Sequence, residues 1–194
     1  MTKTKLISRV ALLIATIFLG ACTNTPVRYY LMSPIPGEIP DVAGKDLLLG
    51  VGPVQLPDYV NRPNLVTRAS ATRIEVPKDH KWGATLDSHF TAILAENLRD
   101  RLGLNSVLVY PWQPGTRLDY QLSADITRFI YTEGAVRLDA GWSLRKRNDG
   151  TIVDGASRIS ETSGDSYDDI VDAMSRAVAR LADEIIMRLG QARK

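Results

Sequence analysis

The sequence predicts a single α+β domain, with a mainly antiparallel sheet and two amphipathic helices packed on one face. Three observations carry this expectation. Apolar residues recur at three- and four-residue steps over 85–102 and 166–189, as in helices with one buried stripe. Apolar and polar residues alternate over 120–131, 136–145 and 151–161, as in half-buried strands. The order strands, helix, strands, helix segregates the helices from the sheet.

Taken in order, Val27 to Met32 reads as a strand with Val27, Tyr29 and Leu31 on one face. Ser33 to Gly44 holds three prolines and two glycines and reads as loop. Leu47 to Val54 is an almost continuous apolar run, expected for a central strand buried on both faces. Gly50 and Gly52 suggest a bulge or a close backbone approach, and Pro53 suggests that pairing ends there. Gln55 to Pro63 is a proline-containing loop that carries Leu56 and Tyr59. Leu65–Arg68 and Thr72–Val76 read as a short hairpin.

Thr85 to Leu102 is the first helix, with Leu86, Phe90, Ile93, Leu94, Leu98 and Leu102 as its stripe. Thr85 stands at the N-cap position and Gly103 where a left-handed terminating residue belongs. Val107 to Trp112 is a strand. The three alternating segments then form an antiparallel meander, turning at Glu133-Gly134 and at Asn148-Asp149-Gly150. The second helix, Ser166 to Leu189, opens on the pair Ser166 and Asp169 and is expected to close at Gly190.

Before this domain lies a separate signal. Lys3, Lys5 and Arg9 form a positive leading segment, and Val10 to Leu19 is apolar apart from Thr16. That run is short for a bilayer span, which needs about 20 apolar residues, and it suits a signal-peptide core. It closes on Leu19-Gly20-Ala21-Cys22, and Cys22 is the only cysteine. The stretch resembles the lipobox of bacterial lipoproteins. The resemblance implies that residues 1–21 are a signal peptide removed by cleavage. Cys22 would then become the first residue, carrying an S-diacylglyceryl group and an N-acyl chain. More than one acyl chain holds a protein stably on a membrane. Residues 22–27 would be an acylated tether and 28–190 the folded domain. In such lipoproteins an aspartate directly after the cysteine favours the inner membrane. Here that position is Thr23, which implies the periplasmic face of the outer membrane.

The formal charge of the whole chain is +2. Cleavage would remove Lys3, Lys5 and Arg9 and no acid; 24 basic residues less those three, against 22 acidic, gives −1. There is then no electrostatic case for binding nucleic acid. A lone cysteine allows no internal disulfide.

A search for catalytic chemistry finds no nucleophile elbow, zinc-protease signature, phosphate loop or dinucleotide fingerprint. His89 sits at the edge of the first helix's stripe and reads as a structural side chain; His80, among Lys78, Asp79 and Lys81, reads as solvated surface. Asp165, Asp168, Asp169 and Asp172 lack the ligand spacing of a calcium loop and suit a helix start. The expectation is a non-enzyme with no metal and no cofactor beyond the lipid on Cys22. Leu56 and Tyr59, on a loop with no evident core face, present either a partner surface or a loop folded down onto the sheet.

Three stretches together carry a wider resemblance. They are Tyr29-Tyr30-Leu31; Gly50-Val51-Gly52-Pro53-Val54 with Leu56-Pro57-Asp58-Tyr59 and Asn61-Arg62-Pro63, ending at Val66-Thr67-Arg68; and Trp82 with the helix carrying Leu98 and Leu102. They are similar to the ABC-type transport auxiliary lipoproteins, most closely to the PqiC (YmbA)-like branch. The resemblance implies a non-enzymatic subunit of an intermembrane phospholipid transport system that maintains envelope integrity. The implied partners are a mammalian-cell-entry (MCE) domain protein of the PqiB-like kind and its membrane partner. MCE proteins form rings, so a homo-oligomeric ring would match by symmetry. By motif position the docking residues are Leu56, Pro57, Tyr59, Arg62, Pro63 and Arg68. Competing expectations are a structural lipoprotein of outer-membrane assembly, an accessory lipoprotein of a dedicated ABC transporter, and a periplasmic hydrolase, for which no nucleophile-base set is found.

Overall fold

The computed structural model describes residues 26–37 and 47–192. The signal peptide, Cys22 and most of its tether, and the Glu38–Asp46 part of the proline-containing loop lie outside the described residues. Among the described residues, nine strands and two helices follow in the order β1 (Arg28–Tyr30), β2 (Leu48–Gln55), β3 (Thr67–Ser70), β4 (Arg73–Glu75), β5 (His80–Trp82), α1 (Leu86–Leu102), β6 (Ser106–Val109), β7 (Tyr120–Thr132), β8 (Ala135–Lys146), β9 (Ile152–Thr162) and α2 (Tyr167–Ala192). The architecture is the expected α+β domain.

The predicted meander forms as an antiparallel β7–β8–β9 sheet, with β8 paired along its length on both edges. Val136, Leu138, Ala140, Trp142 and Leu144 are all buried, while residues between them are half-buried or exposed. The β7–β8 turn places both Glu133 (φ 49°) and Gly134 (φ 75°) in the left-handed region, the two-residue geometry that matches strand twist. At Gly155, opposite Trp142 in β8, an added Cβ would lie 2.2 Å from the Trp142 ring. The indole packs against this bare backbone and donates from Nε1 to Ser157 Oγ.

The sheet is mixed beyond the meander. The other edge of β7 pairs in parallel with β2 along its first half and with β3 near its end. β2 also runs parallel to β6. Pairing of β2 does not end at Pro53, as the sequence suggested. The register shifts between Val51 and Val54 and then resumes, so a bulge absorbs the missing N–H. An added Cβ at Gly52 (φ 126°) would lie 2.4 Å from Tyr110 Cβ, which requires glycine there.

α1 and α2 pack on each other and on the same sheet, α1 over β2 and β6, α2 over β7, β8 and β9. Phe90 of α1 meets Phe129 of β7 edge-to-face at 5.2 Å between ring centroids, both with no exposed surface. Gly103 terminates α1 in the left-handed conformation, as expected. α2 continues past Gly190 to Ala192, so Gly190 is not its terminator.

A separate two-stranded ribbon forms where the sequence suggested only β1. β1 pairs in parallel with β5, Arg28–Tyr30 against His80–Trp82. Tyr30 and Trp82 face the core and are buried.

Candidate docking site

The chain leaves β2 at Gln55 and turns tightly. Val60 and Asn61 N–H both donate to Pro57 O at 3.1 Å, and Arg62 N–H donates to Val60 O. Leu56 and Val60 are 9% and 2% exposed and belong to the core. Tyr59 is half-buried against that core. Of the two readings of this loop, Leu56 takes the folded-down one, because its apolar side chain joins the buried core. Asp58, Asn61, Arg62 and Pro63 remain exposed, with Pro57 half-buried.

The loop is then tied to the ribbon. Trp82 N–H donates to Pro63 O at 2.8 Å and Leu65 N–H to His80 O at 3.1 Å. This brings Asn61, Arg62 and Pro63 beside Trp82, Gly83 and the first residues of α1 around a groove of about 400 Å³. Thr85 occupies the N-cap position in an extended conformation but makes no side-chain cap bond. Asp87 is on the same groove, so Arg62 and Asp87 give it both signs of charge. Arg68 does not line it. Its guanidinium donates to Ala71 O and braces the β3–β4 hairpin.

His80 is not solvated surface. Its ring stacks on Tyr167 at 3.7 Å between centroids and on Tyr30 at 5.5 Å, and its Nδ1 is 2.8 Å from Tyr30 Oη. This stack fastens the start of α2 to the ribbon. Burial and the nearby Glu75 and Asp79 carboxylates push the Tyr167 phenol above its ordinary value. His89 is structural, as expected. Its Nε2 accepts from Met32 N–H at 2.8 Å, and burial holds the imidazole below its ordinary value.

His89 is one of four side chains that clasp the arm after β1. Ser33 N–H donates to Ser175 Oγ, Ile35 N–H donates to Asn97 Oδ1, and Arg101 Nη1 donates to Ile35 O at 2.7 Å. Arg101 is 4% exposed and also pairs with Asp183 of α2. The arm has no strand neighbour for this stretch, so side chains of both helices satisfy its backbone.

The acidic cluster serves the start of α2. Asp169 N–H donates to Ser166 Oγ, which satisfies one of the free donors at the helix start, and Ser166 Oγ–H donates to Asp169 Oδ2. Asp165 accepts from the Tyr131 hydroxyl, and this carboxylate is the main cause that raises the Tyr131 phenol. Among the described residues no group of three or more His, Cys, Asp or Glu is placed to hold a metal. No described helix is long and apolar enough to cross a membrane.

The sequence reasoning missed the ribbon and the clasp. Three-residue strands carry too little period to see, and the clasp joins residues more than fifty positions apart. The structure brings Arg62 and Pro63 together with Trp82, keeps Pro57 and Tyr59 on the adjoining turn, buries Leu56 and separates Arg68. Cys22 lies outside the described residues.

Comparison with known proteins gives the same architecture. No curated protein matches the chain. A crystal structure of an uncharacterised protein superposes with a TM-score of 0.70 at 21% identity, covering 84% of this chain and 99% of that one. A protein from Xanthomonas campestris superposes with a TM-score of 0.69 at 14% identity, covering 86% and 98%. At these identities the likeness shows the fold alone. The family model described as ABC-type transport auxiliary lipoprotein component matches residues 29–186, and the chain belongs to that family.

Proposed function

We propose that this protein is a non-enzymatic, lipid-anchored subunit of an MCE-protein-based phospholipid transport system. In this reading Cys22 carries the N-acyl and S-diacylglyceryl chains and holds the domain on the periplasmic face of the outer membrane. The domain receives the distal end of a PqiB-like MCE protein. The membership of an auxiliary-lipoprotein family supports an accessory role to a transporter in the cell envelope. The observation that carries the docking step is the groove between Arg62, Pro63 and Trp82. It is built from two of the stretches that resemble the PqiC-like branch, and it lies at the end of the domain where the tether enters. A ring of copies would suit a ring-forming partner.

A second reading, an accessory lipoprotein of a dedicated ABC transporter, is favoured by the family description itself. Recovery of the tagged protein from detergent-solubilised envelopes, with bound proteins identified by mass spectrometry, separates the two. An MCE-domain protein is the expected catch. An ABC permease without any MCE protein would move the assignment to the second reading.

A further inference from the structure

We infer that the outer face of the β1–β5 ribbon lies against the bilayer that holds the lipid anchor, with Val27, Tyr29 and Leu31 in the headgroup layer. This rests on the proposed acylation of Cys22. The ribbon has two faces, because side chains alternate along a strand and register partners share a side. Tyr30 and Trp82 point inward and are buried. On the other side Val27, Tyr29 and Leu31 are 43%, 67% and 56% exposed. These are three of the eight large apolar or aromatic residues left exposed in the described structure, and they fall at consecutive alternate positions. Leu31 also lies over Gly83, where an added Cβ would sit 3.2 Å from its side chain.

The tether length selects the occupant. Val27 is five residues after Cys22, and a fully extended chain spans at most about 3.3–3.6 Å per residue. Val27 is therefore held within roughly 18 Å of the acylated residue. A folded domain of this size has a radius of gyration of about 15 Å. The tether keeps the ribbon within that short reach of the surface, and Val27 is the first large apolar residue after Cys22.

The chemistry of the face agrees. Tyrosine favours the membrane–water boundary, where its ring is shielded and its hydroxyl hydrated. Lys81 is the register partner of Tyr29, and Lys78 is exposed just before β5. Lysine ammonium groups beside an apolar strip suit anionic lipid phosphates.

The test uses the acylated mature protein in vesicles of phosphatidylethanolamine and phosphatidylglycerol. The sole natural cysteine is blocked by its thioether, so Tyr29→Cys supplies one reactive thiol for an NBD label. Leu31→Cys repeats the readout with Tyr29 intact. Met187→Cys is the control, being 60% exposed and about 30 Å along α2 from Tyr167, given a rise of about 1.5 Å per residue. The expected result is blue-shifted emission at positions 29 and 31, with most of it quenched by doxyl-labelled lipid, and neither effect at 187. An intact mass showing the acyl chains, together with water-like, unquenched emission at 29 and 31, overturns the proposal while leaving the anchor. Shielding at 29 without doxyl quenching also overturns it, and assigns the strip to a second copy or another protein. An intact mass lacking the acyl chains removes the anchor and the proposal together.

Discussion

The meander and the arm that follows β1 are held in opposite ways. In β7–β8–β9 the backbone satisfies itself and the side chains supply apolar contact, with Leu122, Phe129, Ile130, Val136 and Leu138 wholly buried. In the Met32–Ile35 arm the backbone has no ladder, and four polar side chains from two helices bond to it instead. The first arrangement is broken only by opening the core. The second can be released bond by bond while the core stands. With the proposed acylation of Cys22, this division would keep the scaffold's shape while fixing the segment that follows the tether at defined points.

The largest effect should follow from breaking the scaffold. Phe129→Ala removes a fully buried ring and its edge-to-face partner contact with Phe90, and should cost about 3–5 kcal/mol. Urea unfolding measures this directly. Arg101→Ala attacks the arm. It removes charge-assisted bonds to Ile35 O and Asp183, worth about 1.5–3 kcal/mol where a charged group takes part. Hydrogen exchange should accelerate over the arm and leave the β8 amides protected. Equal acceleration in both regions would erase the distinction between them.

The smallest effect is a dependence on pH. His89 accepts from Met32 N–H only when its Nε2 is unprotonated. Burial lowers its folded value below the ordinary value of 6.5, so below that pH the unfolded chain binds more protons than the folded one. The contribution is complete above the ordinary value and is lost as pH falls through the depressed folded value. Unfolding free energy measured across this range should show the loss in the wild type and a flatter profile in His89→Gln.

What was legible in the sequence follows the same division. α2 repeats its stripe over six turns and the meander its alternation over three strands, so both were read with nearly correct ends. The Ser166–Asp169 pairing at the start of α2 was legible because it is local. The parallel insertion of β2 beside β7 was not, since its partner lies about seventy residues away. His80 was misread because Tyr30 and Tyr167, which decide its environment, are distant in the chain. The same limit applied to the site. Arg62 and Trp82 were each singled out by resemblance, but only the fold places them on one groove. For Leu56 the sequence left two readings open, because nothing local shows that the loop folds onto the core.

The most direct test of the account is recovery of an MCE-domain protein by tagged Arg62→Glu compared with the wild type and with Arg137→Glu on the meander. Arg62 is exposed, so its melting temperature should equal that of the wild type. Arg62→Glu alone should lose the partner. Retention of the partner by Arg62→Glu, or its loss from both variants alike, would contradict the assignment of docking to the groove.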